Sequence, residues 1–155
     1  MLKIIKLFVN GKEEEVAIDE RESLADVLRY RLGITSVKKG CEVGECGACT
    51  VLVDREAVDS CIYLALWAEG KHILTVEGLK SPTGELSEIQ QAFVDAAAVQ
   101  CGFCTPGIIM SAVEIIEKQK SYSREELKKM ISGHLCRCTG YENIITALEG
   151  LVNKA

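Results

Sequence analysis

Eight of the 155 residues are cysteines, and they fall into two groups of four. Cys41, Cys46, Cys49 and Cys61 stand in the first half of the chain; Cys101, Cys104, Cys136 and Cys138 stand in the second. Four thiolates complete a tetrahedral metal site or a 2Fe–2S cluster. A lone Cys-x-x-Cys would say little, but two full quartets with none left over point to two metal centres. No rival chemistry is evident: there is no nucleophile beside a base, no phosphate-binding glycine loop and no carboxylate pair at a suggestive spacing. Glu42 and Glu45, inside the first quartet, read as solvated charges rather than acids.

The first quartet occupies Gly40-Cys-Glu-Val-Gly-Glu-Cys-Gly-Ala-Cys49, with Cys61 as its fourth member. Its Cys-x4-Cys-x2-Cys spacing is that of plant-type 2Fe–2S loops, whereas zinc favours paired short spacings. Gly40, Gly44 and Gly47 are expected to take positive φ and bring backbone N–H groups onto sulfur. The second quartet is two pairs, Cys101-Gly-Phe-Cys104 and Cys136-Arg-Cys138, each followed by a threonine. Thr105 and Thr139 read as N-caps of apolar helices, with Pro106 at the first helical position and Thr139–Glu142 as a capping box. Each pair would then sit at a helix N-terminus, where free N–H groups and the macrodipole favour an anionic cluster. A thioredoxin-like reading of Cys101–Cys104 wants a preceding strand, but the Ala-rich stretch 95–99 reads as helix. A Rieske centre needs two histidine ligands. His72 and His134 are the only histidines and fall in different halves; the first reads as a surface residue, the second as a helix C-terminal one.

Two kinds of scaffold are needed to hold these loops. Residues 3–9 are rich in β-branched and aromatic side chains, and Asn10-Gly11 is a hairpin turn signal. Val16 and Ile18 alternate with polar neighbours on the returning strand. Ser23 opens a short helix with Leu24, Val27, Leu28 and Leu32 on one face, stopped by Gly33. Thr50–Val53 pairs with Ala57–Val58, and Ile73, Thr75 and Val76 supply a last strand. Gly78 to Gly84 reads as a linker. Beyond it Leu86, Ile89, Phe93 and Val94 form an apolar stripe, and further helices start after Pro106, at the capping box Ser123–Glu126 and after Thr139. Four helices with short connections imply a bundle. The fold class is therefore α+β, with a sheet domain over 1–78 and a helical domain over 79–155.

The net charge of −5 excludes a concentrated basic face for nucleic acid or anionic lipid. Lys38-Lys39 reads as a solvated pair. The apolar run at the N-terminus is broken by Lys6 and ends at Asn10-Gly11, which is too short for a signal peptide core, and no stretch nears the roughly 20 apolar residues of a membrane span. These features predict a cytoplasmic protein, where thiols stay reduced and eight cysteines need a purpose other than disulfides.

Three stretches carry a family resemblance: Ser36-Val-Lys-Lys-Gly-Cys-Glu-Val-Gly-Glu-Cys-Gly-Ala-Cys-Thr-Val-Leu-Val53, Val99-Gln-Cys-Gly-Phe-Cys-Thr-Pro-Gly107 and Leu135-Cys-Arg-Cys-Thr-Gly-Tyr141. In order and with all eight cysteines, they resemble the iron–sulfur subunit of the molybdenum hydroxylases, the xanthine dehydrogenase and aldehyde oxidoreductase family. Asp59–Gly70 looks most like bacterial xanthine dehydrogenase small subunits. The resemblance implies a β-grasp ferredoxin-like domain followed by a four-helix bundle, each holding one 2Fe–2S cluster on its four cysteines. It also implies a molybdopterin-binding large subunit with the substrate site and, usually, an FAD-binding medium subunit. Electrons would pass from molybdenum through the helical-domain cluster and the ferredoxin-like cluster to FAD. Gln100 and Cys138 match family positions that approach the pterin. The substrate is set by the partner, so xanthine, nicotinate, aldehydes, aromatic acyl-CoA thioesters and carbon monoxide all stay open. A free-standing metal-binding or regulatory protein is the reading from a different class.

Overall fold

The computed structural model describes residues 1–154. Strand β1 (Leu2–Val9) turns at Asn10-Gly11 into β2 (Lys12–Asp19). Both turn residues have positive φ, 51° and 81°, as a tight two-residue hairpin requires. The pairing runs from Val9 against Lys12 to Leu2 against Asp19. That register buries Ile5, Leu7, Val9, Val16 and Ile18 on one face and leaves Lys and Glu on the other.

Helix α1 begins at Leu24 with Ser23 as N-cap, its hydroxyl accepting the Asp26 N–H. From Val27 to Arg31 the helix widens to a π-type turn, with the Leu32 N–H reaching back to the Val27 carbonyl. Leu24, Ala25, Val27 and Leu28 are buried against the sheet. The loop 34–49 then leads into β3 (Thr50–Val53), which hairpins to β4 (Glu56–Asp59). Strand β5 (His72–Leu74) lies between β1, to which it is parallel, and β3, to which it is antiparallel. The order β2-β1-β5-β3-β4 is a mixed five-stranded sheet gripping one helix, as the resemblance implied. The last strand ends at Leu74; Val76 belongs to a tight helical turn over Val76–Leu79.

Every residue of β3 is buried. Val51 and Val53 face the α1 core, whereas Leu52 joins the core of the helical half. The sheet is thus covered on both sides here, which explains why 50–53 shows no polar alternation. The helical half comprises α2 (Glu88–Asp95), α3 (Thr105–Glu117), α4 (Arg124–Met130) and α5 (Glu142–Val152). The capping box at Ser123–Glu126 forms as expected, and a second, unforeseen one joins Ser87 and Gln90. The expected stripe on α2 is reduced to Phe93 and half-buried Ile89, with Leu86 and Val94 exposed. The helix stops at Asp95, and Ala97 takes φ 51°, so 96–99 is not helical.

Candidate metal centres

The first thiol loop lies between α1 and β3 in sequence and contacts α1 through Lys39 and Asp26. Cys41 Sγ is met by the backbone N–H groups of Val43 at 3.5 Å, Glu45 at 3.3 Å and Cys46 at 3.4 Å. Those donors hold its thiol down at about 6, well below an ordinary cysteine. Cys46 adjoins Cys41, and Cys49 adjoins Cys61. Cys49 is buried, and burial pushes it up to about 12. Gly44 and Gly47 have positive φ, as expected; Gly40 does not. What Gly40 provides is room, since a Cβ there would press on Cys46 Sγ at 2.8 Å. Lys39, read as solvated, is largely covered: its ammonium lies 2.6 Å from Asp26 and 3.2 Å from Glu42, tying the loop to α1.

The second loop pairs its thiols across the sequence. Cys104 adjoins Cys136, and Cys138 adjoins Cys101. Cys104 is buried and pushed up to about 12, whereas Cys101 and Cys138 are exposed. At Cys136 burial also works against the anion, but hydrogen bonds from Thr139 and nearby backbone outweigh it and the thiol is lowered. Phe103, Leu135 and Tyr141 complete the wall around these four cysteines. Gln100 is exposed beside Cys101.

Neither threonine is the N-cap that its spacing predicts. Cys104 itself caps α3, with Thr105 already in the first turn. At α5 the cap is Tyr141 in a left-handed conformation, φ 69°, after Gly140 at φ 65°. Those two residues would have to be helical for a Thr139–Glu142 box, so no box forms. The helix-end field therefore acts directly on Cys104 and only weakly on Cys138, because it fades within the first turn.

The two loops touch. The Leu135 N–H donates to the Cys46 carbonyl at 2.9 Å, joining a residue next to Cys136 with a member of the other quartet. Gly47 packs against both Gly107 of α3 and His134; a Cβ at Gly107 would collide with the Gly47 carbonyl oxygen. His134 is not the helix-end cation expected. It lies past α4, buried, with Nε2 2.7 Å from Ser111 Oγ and Nδ1 without a hydrogen-bond partner among the described residues. Burial pushes its imidazole below the usual range and keeps it neutral. His72 is exposed and stacks on Phe8. Sequence reading gave Thr139 a capping role and missed His134, Gly107 and Tyr141 as parts of the site; the Gly-Tyr that follows Thr139 was the available signal.

Comparison with known proteins decides the family. Residues 7–74 match the 2Fe-2S iron-sulfur cluster binding domain, and residues 75–149 match the 2Fe-2S binding domain. The nicotine 6-hydroxylase small subunit of Paenarthrobacter nicotinovorans is 50% identical over 93% of this chain and 86% of its own. The xanthine dehydrogenase iron-sulfur-binding subunit of Escherichia coli O157:H7 is 48% identical over 93% and 91%. The chain belongs to the iron–sulfur subunits of the molybdenum hydroxylases. Its fold agrees: quinoline 2-oxidoreductase from Pseudomonas putida 86 superposes with a TM-score of 0.92 at 44% identity, over 96% of this chain and 91% of that one. As such a subunit, it is a component of an oxidoreductase with an electron-transfer role. Two relatives named for different substrates match almost equally well, so identity to this subunit does not separate substrates.

Proposed function

We propose that this chain is the electron relay of a heteromeric molybdopterin-dependent hydroxylase of the xanthine dehydrogenase type. One 2Fe–2S cluster would be held by Cys41, Cys46, Cys49 and Cys61 in a domain over 1–78. The other would be held by Cys101, Cys104, Cys136 and Cys138 in a domain over 79–155. A bound cluster supplies a site that takes up and gives back one electron; the chain supplies its ligands, insulation and spacing. The residues fit such groups. All eight cysteines are free, and within each loop they adjoin in twos, as two irons each taking two thiolates would need. Among the described residues no three His, Cys, Asp or Glu side chains gather as around a single ion.

The observation that carries the relay reading is the Leu135 N–H to Cys46 carbonyl hydrogen bond, which links the two quartets through backbone rather than solvent. Burial pushes the Cys49 and Cys104 thiols up, so a bound metal cation would favour their thiolates and release their protons. Exposed Cys138 and Gln100 are the residues assigned to approach the molybdopterin of the large subunit. The first loop, with exposed Val43 and Ile62 beside it, is assigned to face an FAD-binding medium subunit. Eight free thiols support a reducing compartment such as the cytoplasm. No described helix is long and apolar enough to cross a membrane. Iron and acid-labile sulfide analysis of anaerobically purified complex tests the reading. Four of each per chain with two 2Fe–2S EPR signals is the expected result, and a stable chain with one equivalent of zinc overturns it.

A further inference from the structure

The segment between Cys136 and α5 closes on itself through three contacts. The Cys136 N–H donates to the Tyr141 hydroxyl oxygen at 2.8 Å, and the Tyr141 N–H donates to Thr139 Oγ1 at 3.2 Å. Thr139 Oγ1 in turn lies 3.1 Å from Cys136 Sγ. A sulfur bound to iron carries no proton, so the hydroxyl must be the donor in that contact. One lone pair of Oγ1 already accepts from Tyr141, which fixes the hydroxyl and leaves its hydrogen for the sulfur. The left-handed backbone at Gly140 and Tyr141 is what turns the chain back far enough for this to happen.

We propose that Thr139 tunes the second cluster: its hydroxyl donates a hydrogen bond to the Cys136 thiolate and raises that cluster's reduction potential. The inference rests on the assignment of Cys136 as a ligand. Reduction adds one negative charge, part of which resides on the thiolates, so a donor to sulfur stabilises the reduced form more than the oxidised one. Thr105, after the other Cys-Thr pair, is the first residue of α3 and belongs to the helix instead. The tuning is therefore built on one side of the cluster.

The test uses the assembled complex with wild-type chain, Thr139→Val and Thr139→Ser, each reduced stepwise and followed by EPR. Valine keeps the shape and removes the hydroxyl; serine keeps the hydroxyl. In Thr139→Val, the equilibrium constant for reducing the second cluster against the first should fall about tenfold, or about 59 mV for one electron. Thr139→Ser should stay near wild type, with the first cluster unmoved in both. Thr139→Val at the wild-type potential, or Thr139→Ser shifted as far as Thr139→Val, overturns the proposal. If Thr139→Val loses its second cluster, retention by Thr139→Ser supports the hydroxyl's role and loss in both overturns it. Fewer than two 2Fe–2S signals in the wild-type complex would instead overturn the ligand assignment, so the two failures are distinguishable.

Discussion

Cys41 in the first loop receives three backbone N–H groups from within five residues, whereas Cys136 in the second has, besides backbone donors, a side-chain hydroxyl 3.1 Å from its sulfur. Each loop also holds one buried thiol, Cys49 or Cys104, raised to about 12 by burial. Both loops must therefore support anionic sulfur in a poorly solvated place, with different donors. Backbone donors come with the loop's shape and survive substitution of the side chains around them. A side-chain donor can be gained or lost by one codon. On the proposed ligand assignment, the potential of the first cluster would be set by loop conformation, and that of the second would also depend on a donor that sequence can adjust.

The strongest way to break the comparison is to remove a ligand from one side. Cys104→Ser should halve the iron content, from four to two atoms per chain, and abolish electron flow from the molybdenum site. The EPR signal of the first loop should survive. Parallel loss of both signals would mean that the loops are not separate centres. A smaller effect is expected where the loops meet. Gly107→Ala would drive a methyl group into the Gly47 carbonyl and should cost about 1–3 kcal/mol, as overpacking does. The check is the denaturation midpoint of the complex-bound chain, with an altered line shape of the first cluster's EPR signal although the change lies on α3. An unchanged midpoint would show that the α3 contact does not hold the first loop. Tyr141→Phe should cost about 1–3 kcal/mol by leaving the Cys136 N–H unpaired. Its effect should be confined to the second cluster, read as faster loss of that signal in denaturant.

Much of this architecture is legible in the sequence because its signals are local. The Asn10-Gly11 turn, the Ser23 cap and the Ser123–Glu126 box all act within a few residues, and all form as read. The misreadings at Lys39 and His134 depend on contacts distant in sequence, whereas the one at Thr139 is local. Lys39 looks solvated until α1 brings Asp26 beside it. His134 looks like a helix-end cation until α3 and the first loop cover it. Thr139 fits a capping box by spacing, but left-handed Gly140 and Tyr141 remove the helical turn that a box needs. The pairing of thiols across the two segments of the second quartet is a tertiary fact. No spacing rule distinguishes Cys101 with Cys138 from Cys101 with Cys136.

The smallest expected effect separates the loops by pH. The first is tied to α1 through Lys39, Asp26 and Glu42, whereas the knot at Cys136 uses the neutral side chains of Thr139 and Tyr141. Burial pushes the Asp26 carboxyl up, but hydrogen bonds from Lys39 and Ser23 outweigh it and leave it below the usual carboxylate range. Its contribution is therefore present above the ordinary value of about 4 and is lost as pH falls through the lowered one. The Asp26 hydrogen bond raises Lys39, so that contribution is present below about 10 and is lost as pH rises through the raised value. Lys39→Met should consequently destabilise the chain by no more than about 1 kcal/mol, because the pair is only partly desolvated. The difference from wild type should stay level from about pH 5 to 9 and shrink in acid below about pH 4. Urea midpoints across that range measure it. A difference that persists undiminished in acid would mean that Lys39 acts through its methylene packing rather than its charge, and the contrast between a charged and an uncharged anchor would then fail.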